Sequence, residues 1–449
     1  MIRLEKYPDC ALLSFQEERV LPWIANNRGL ASNVNAAISS GMVVDRALLQ
    51  QCLQAACNAY DALRTRFRKI EDGSFRRHVL PGSECLFELT ELHSALPQND
   101  PALVQQVSTF CDKPISIEDE IWFRALLVHT VDGASIIVLS MPHIVSDAVS
   151  IRMLIANVWE DYACLAEGKP MKNRTPCFSL RDFAGSQRAW AATPDFGRKL
   201  DELADLVTTG IVRIRSANQE KYAEPPSPSR PSFSVKRRLP PEHCVALEAL
   251  AQRTQTGLPT VLIACTVLAI AKLFHRQEFC FRLPVTNRVL PGSHDMVGFL
   301  SNDVPIFVSI DEGQDVLSFI KSINRNALLM TMRFGAMPWS VLTERLLASP
   351  VLQSGRNPFD DYLINAFPVI ENPAPGDGYE AYHFPMSTAA FTNNDLKVWL
   401  QRNEGRITVT LKVGIEQQEL AEQHYAPVVL GVFADVARHA DDRIGACLA

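Results

Sequence analysis

The stretch ASIIVLSMPHIVSDAVS, residues 134–150, decides how the rest of this 449-residue chain is read. Its first eight residues form an apolar run rich in branched side chains, which predicts a buried strand. Residues 122–129 are similarly apolar, and a Val-Asp-Gly turn separates the two runs, so together they predict an antiparallel hairpin. The strand ends at Pro142, and His143 follows at once, with Asp147 four residues later. Helical spacing resumes over 149–165. A rigid strand followed by a short loop can hold an imidazole firmly and still leave it accessible. Imidazole titrates near neutrality, so His143 is suited to taking a proton from an attacking amine or alcohol. Asp147 is placed to orient the loop or to pair with a cation.

Taken alone, His-x-x-x-Asp says little. With 10 His in the chain, chance alone supplies the pattern about once in two such sequences. A structural histidine at a strand end is the plain alternative, and the rest of the chain has to choose between them.

Outward from this centre, the chain mixes helices and strands. Residues 45–67 and 241–274 have helical spacing, the second with a break near Gly257-Leu258-Pro259. Residues 279–285, 304–308 and 407–413 predict strands, and a last helix is expected around 428–440. The class is therefore α/β or α+β, with the hairpin favouring mixed sheets over a purely parallel one. Residues 215–232 are rich in proline and charge and predict an exposed linker. The expected division is an N-terminal lobe over 1–180, a crossover and linker over 181–235, and a C-terminal lobe over 236–449.

Composition narrows the function. The net charge of −6 gives no basic field for nucleic acid or an anionic membrane. The basic run at 64–68 is expected to be a solvated face. The 11 cysteines are scattered without a CxxC pair and the N-terminus lacks a secretory layout, which predicts reduced thiols in a cytoplasmic protein. Cys265 and Cys280 sit in apolar segments and read as core thiols. The apolar run 258–273 is too short for a bilayer and reads as a core helix. His243-Cys244 beside Glu242 lacks a second ligand cluster, so no metal site is expected. GxSxG, GxxxxGK and HExxH motifs do not occur.

Seven segments, in order, resemble the condensation domains of nonribosomal peptide synthetases. Leu13–Arg19 resembles the opening S-x-x-Q-x-R segment, and Tyr60–Phe67 the H-E-x-L-R-T-x-F helix end. Met141–Ser150 is similar to the central M-H-H-x-x-x-D-G-x-S. Arg181-Asp182-Phe183-Ala184, with Gln187 and Trp190, is similar to Y-x-D-Y-A-x-W-Q. Pro284–Arg288 resembles P-V-A-N-R, Val297–Asn302 resembles I-G-F-F-V-N, and Ser354–Pro358 resembles S-R-N-P. The likeness runs over nearly the whole chain.

The resemblance implies two chloramphenicol acetyltransferase-like lobes forming a V-shaped pseudo-dimer, with the active site in a tunnel between them. It implies His143 as the catalytic residue, Asp147 and Arg288 as a supporting ion pair, and Asn302 as a structural residue tying a loop. Two departures stand out. The motif's first His is Pro142 and its Gly is Ala148, both candidates to line the tunnel.

The implied activity is acyl transfer from a phosphopantetheinyl thioester, borne by an acyl or peptidyl carrier protein or by CoA, to an amine. The product is an amide of nonribosomal peptide or related natural-product biosynthesis, and no cofactor stays bound. The expected form is a monomer, either free-standing or part of a larger synthetase. Three alternatives stay open: an O-acyltransferase making an ester with an alcohol acceptor, an epimerisation domain using Glu344 or Glu371 as a second acid, and a non-catalytic recruitment module.

Overall fold

The computed structural model describes the chain except for residues 1–8, 11, 27–32, 117, 118, 120, 177, 224–228, 348–356, 367–379, 385–390, 404 and 449. The packing resolves into two compact units. The first contains Met1–Thr193, Thr286–Ser301 and Glu371–Ala390; the second contains Pro194–Val285, Asn302–Ile370 and Phe391–Ala449.

In chain order the first unit holds β1 (Asp9–Cys10), α1 (Phe15–Asn26), β2 (Asn33–Ser40), α2 (Arg46–Ala59), β3 (Thr65–Lys69), β4 (Phe75–Val79) and β5 (Phe87–His93). It continues with α3 (Pro101–Asp112), β6 (Phe123–His129), β7 (Ser135–Pro142), α4 (Ala148–Ala166) and α5 (Leu180–Ala191). The second unit begins with α6 (Pro194–Ala217), α7 (Gln219–Ala223), β8 (Arg230–Arg238), α8 (Pro241–Thr254), α9 (Leu258–Phe274) and β9 (Glu278–Val285). After residues 286–301 return to the first unit, the second resumes with β10 (Asn302–Ser309), α10 (Val316–Phe334), α11 (Trp339–Leu347) and β11 (Tyr362–Ala366). β12 (Ala381–His383) again belongs to the first unit, and the second ends with β13 (Phe391–Thr392), β14 (Leu396–Asn403), β15 (Arg406–Gly414), α12 (Gln418–Leu420), α13 (Ala426–Arg438) and α14 (Gly445–Leu448).

The first unit is built on a five-stranded sheet in the order β12-β2-β7-β6-β5, parallel only between β5 and β6. Both faces of its central strand β7 are buried. Ile137 and Leu139 of β7 join a large core with Leu49 and Leu53 of α2 and Leu154 and Val158 of α4. Ile136 and Val138 point the other way and pack with Leu103 and Val107 of α3. A strand covered on both faces needs apolar residues at every position, which is why β7 reads as a continuous run and not an alternation. The expected hairpin is present: β6 and β7 are antiparallel, and Gly133 closes the turn at φ +81°.

The second unit carries a seven-stranded mixed sheet in the order β10-β9-β11-β14-β15-β8-β13. α9 packs against β11 and β14 and is flanked by α8, α10 and α13. Its side chains from Val261 to Ala271 are all buried, so this apolar run is a core helix. Among the described residues no single helix is long and apolar enough to cross a membrane.

Four sequence expectations are corrected. The helix expected over 45–67 stops at Ala59; a 3-10 turn over Asp61–Arg64 follows, and Thr65 already begins β3. The basic run at 64–68 is no solvated face: Arg66 is 3% exposed, lies 5.1 Å from the Trp122 ring and donates to the Leu63 and Thr65 carbonyls. Burial pulls its pKa down to about 10.

The stretch 215–232 is likewise more than a linker, although 224–228 lie outside the described residues. Asn218 is buried and donates to the Glu278 carbonyl at 2.9 Å. Lys221 pairs with Asp361 at 2.7 Å and Asp395 at 2.9 Å. Such long-range bonds tie a polar, proline-containing segment down where its own composition gives no core. The lobe boundaries also shift, because 286–301 and β12 (Ala381–His383), expected in the C-terminal lobe, belong to the first unit.

Candidate functional site

His143 stands at the junction of the central strand β7 and helix α4. The ladder with β2 ends at the pairing of Asn33 with Pro142. Proline has no N–H to continue it, so the chain can leave the sheet there. One 3-10 turn over His143–Val145 follows, closed by Ser146 N–H donating to the His143 carbonyl at 3.3 Å. Ile144 and Val145 are buried in the core and anchor this turn. Asp147 then caps α4, its Oδ1 accepting from Ser150 N–H at 2.9 Å.

The carboxylate of Asp147 is almost fully enclosed and fully used. Oδ1 also accepts from Arg288 Nη2 at 2.9 Å. Oδ2 accepts from Arg288 Nη1 at 3.0 Å, from Leu300 N–H at 3.2 Å and from Ser301 N–H at 3.1 Å. Arg288 spends further donors on Ser150 Oγ at 2.7 Å and on the carbonyls of Thr286 and Met296, both at 3.3 Å. A paired fork and a fully used carboxylate make a buried ion pair tolerable, although Arg288 Nε is buried with no hydrogen-bond partner among the described residues.

Asn287, just before Arg288, has φ +51° and donates through Nδ2 to the Leu300 carbonyl at 3.1 Å. Asparagine tolerates this left-handed conformation better than most residues, and it bends the chain where Arg288 turns in.

The same loop reaches His143. The Phe299 ring meets the imidazole edge-on with centroids 4.7 Å apart, and the Arg19 guanidinium lies 6.0 Å from the Phe299 centroid. Gln16 of α1 donates to the Leu300 carbonyl at 3.4 Å and accepts from Gln187 of α5 at 2.9 Å. His143 is partly buried, and its Nδ1 is buried with no hydrogen-bond partner among the described residues. Burial lowers its pKa below the ordinary 6.5, and Arg19 adds to this, while the main chain of the turn and Asp147 pull the other way. The ring is therefore neutral at pH 7, the form that can accept a proton.

Of the residues expected from sequence, His143, Asp147, Arg288, Pro142 and Ala148 all gather in the first unit. Ala148 is partly exposed at the start of α4, whereas Pro142, expected to line a passage, is buried as the last residue of β7. Asn302 belongs to the second unit, where its amide ties down the turn before α11. It donates to the carbonyls of Gly335, at 3.1 Å, and Met337, and accepts from Trp339 N–H at 3.2 Å.

Ser150, Asn287 and Phe299 lie inside the family-like segments, but residue type and spacing assign them no role; the asparagine directly before Arg288 is the one hint the sequence offers. Glu344 is exposed on α11. Glu371 and Ser354-Gly355-Arg356 lie outside the described residues. Cys265 and Cys280 are core thiols, 0% and 1% exposed.

The chain matches the model of the condensation domain family over residues 9–412. It is similar to phosphinothricin tripeptide synthetase PhsC of Streptomyces viridochromogenes, with 27% identity over 72% of this chain and 30% of that protein. It is also similar to tyrocidine synthase 3 of Brevibacillus parabrevis, with 24% identity over 67% of this chain. The chain spans only 4% of the length of that second relative. Among solved structures it resembles the first condensation domain of the CDA synthetase, with a TM-score of 0.77 and 15% identity, over 96% of this chain and 97% of that one. The family match takes in the whole β7–α4 turn around His143 and the loop that locks it, and the chain belongs to the condensation domain family.

Proposed function

We propose that this chain joins a carrier-bound acyl or aminoacyl group to an amine, forming an amide in the assembly of a peptide-like natural product. The donor is a phosphopantetheinyl thioester on an acyl or peptidyl carrier protein. The amine nitrogen attacks the thioester carbonyl, and the tetrahedral intermediate collapses with the C–S bond breaking. His143 takes the proton that nitrogen must lose and passes it to the departing thiolate, so no net acid or base is consumed. With Nδ1 buried, Nε2 is the nitrogen left to meet the acceptor.

The observation that carries this reading is a neutral imidazole on a turn that is fixed from both sides. The core grips the turn through Ile144 and Val145, and Asp147 is fixed by Arg288 and two backbone N–H groups. Rigid placement of a base contributes as much as its proton affinity. The relatives named as peptide synthetases favour the amide product.

The test is intact-protein mass spectrometry of acyl-loaded carrier protein mixed with this chain and paired amine and alcohol acceptors. Loss of the acyl group from the carrier, with amide as product, supports the reading. Exclusive ester formation rejects the amide assignment, and no transfer with any donor rejects catalysis. His143→Ala is expected to slow transfer by about 10²–10⁴-fold, the usual range for a general base.

A further inference from the structure

Away from the His143 turn, β5 is the edge strand of the first unit's sheet and runs parallel to β6. Glu91 and His93 lie two residues apart on β5, so both side chains leave the same face. The register sets His129 of β6 directly beside His93. The result is a three-residue cluster whose potential ligand atoms all lie within 4.8 Å of one another. His129 Nε2 is 2.9 Å from Glu91 Oε1, His93 Nε2 is 3.8 Å from the same oxygen, and the two imidazoles stack with centroids 4.9 Å apart.

We propose that Glu91, His93 and His129 form a binding site for a divalent transition-metal ion of the zinc type, clipping the edge strand β5 to β6. Two imidazoles and one carboxylate are a donor set that suits zinc, with Zn–N and Zn–O distances of about 2.0–2.2 Å. Closing to those distances requires His93 to swing inward, and its side chain is 79% exposed. A fourth position is left to water.

The second shell is already in place. Ser135 Oγ lies 3.3 Å from His129 Nδ1 and also accepts from Val44 N–H at 3.0 Å. With metal on Nε2, the remaining proton sits on Nδ1 and is donated to Ser135, the usual arrangement that fixes a ligating histidine. Arg46 Nε, 3.3 Å from Glu91 Oε2, faces the second carboxylate oxygen and leaves Oε1 to the ion. The cluster shares no residue with the His143 turn, so the site stabilises the sheet edge and takes no part in acyl transfer.

The test uses the purified full chain, stripped with EDTA and titrated with Co²⁺ and then Zn²⁺. Expected is one saturable equivalent of Co²⁺ with d–d absorption and no thiolate charge-transfer band. His93→Ala is expected to weaken binding at least about tenfold, and Ser135→Ala by about 10–100-fold, as outer-shell changes do. Zn²⁺ is expected to slow amide exchange along β5 in the wild type and not in His93→Ala. Because His93 is exposed, that variant folds even where His129→Ala does not. Absence of saturable binding, thiolate bands showing that cysteines hold the ion, or affinity unchanged in His93→Ala would each overturn the proposal.

Discussion

Asp147 and Arg288 are 141 positions apart in sequence and meet through two parallel bonds of 2.9 and 3.0 Å. Both are enclosed, at 1% and 7% exposure. The pair joins the cap of α4 to the loop carrying Phe299, alongside the bonds that Asp147 accepts from Leu300 and Ser301 N–H. Its stabilising effect is conditional: taken together, two buried charges gain little over apolar residues, but either one left alone is costly.

Arg288→Ala leaves the Asp147 carboxylate buried without its cation. The expected loss is about 3–5 kcal/mol of folding stability, read from denaturant melts. Arg288→Lys keeps the charge and loses the fork, so it should fall between wild type and Arg288→Ala in both stability and transfer rate. Equal stability of Arg288→Ala and wild type would refute the role given to this pair.

The pH dependence follows from the partly buried imidazole. Its folded pKa lies below 6.5, so the neutral ring persists on the acid side of that value, and with His143 as the proposed base the acid limb of kcat/KM is expected below pH 6.5. The sign for stability is the same. The unfolded chain takes up the proton near 6.5 while the folded one resists it, so this contribution is complete above 6.5 and is lost as pH falls through the folded value. Phe299→Ala uncovers the ring and should move the acid limb up toward 6.5. A limb that stays in place in this variant would show that Phe299 is not what shields it.

Asn287 tests the geometry of the same loop. At φ +51° a β-branched residue is strained, so Asn287→Val is expected to cost about 1–3 kcal/mol and to lower the transfer rate with it. Asn287→Gly keeps the backbone at ease and loses only the bond to the Leu300 carbonyl, and should be the milder variant. Thermal melts of the two proteins side by side decide the order.

Glu17 and Arg77 form a second buried pair, 3.0 Å apart, and Glu17 also closes the first turn of α1 by accepting from Ser14 N–H at 2.7 Å. Burial raises the Glu17 pKa above 4.5 despite the neighbouring guanidinium. Stability from this group is thus present below pH 4.5 and declines as pH rises through the folded value. Arg77→Met should destabilise by about 3–5 kcal/mol at neutral pH, and adding Glu17→Gln should recover part of it while leaving the capping bond possible. Additive losses in a double-mutant cycle would contradict the coupling.

Much of the site was legible because its pieces are local. The apolar run of β7, the proline that ends it, His143 and the capping Asp147 are consecutive, and their chemistry follows from residue type and spacing. The order of seven short segments supplied the family. Arg288 was anticipated only through that likeness, since nothing in its neighbourhood says which carboxylate it seeks. The stop of α2 at Ala59 and the burial of Arg66 are not legible locally, because pairing and stacking partners outside the segment override local pattern.

What the sequence alone determined was the alternation of helices and strands, the buried character of β7 and α9, and an imidazole displayed at a strand end. Each of these depends on side chains within one turn or one pleat of each other. Only the tertiary structure decided that residues 286–301 and β12 belong to the first unit, that Phe299 covers His143, and that His129 stands beside His93. Those facts depend on strand register and on loops returning over more than a hundred residues, and they are settled by the packing of the whole unit, which no local spacing encodes.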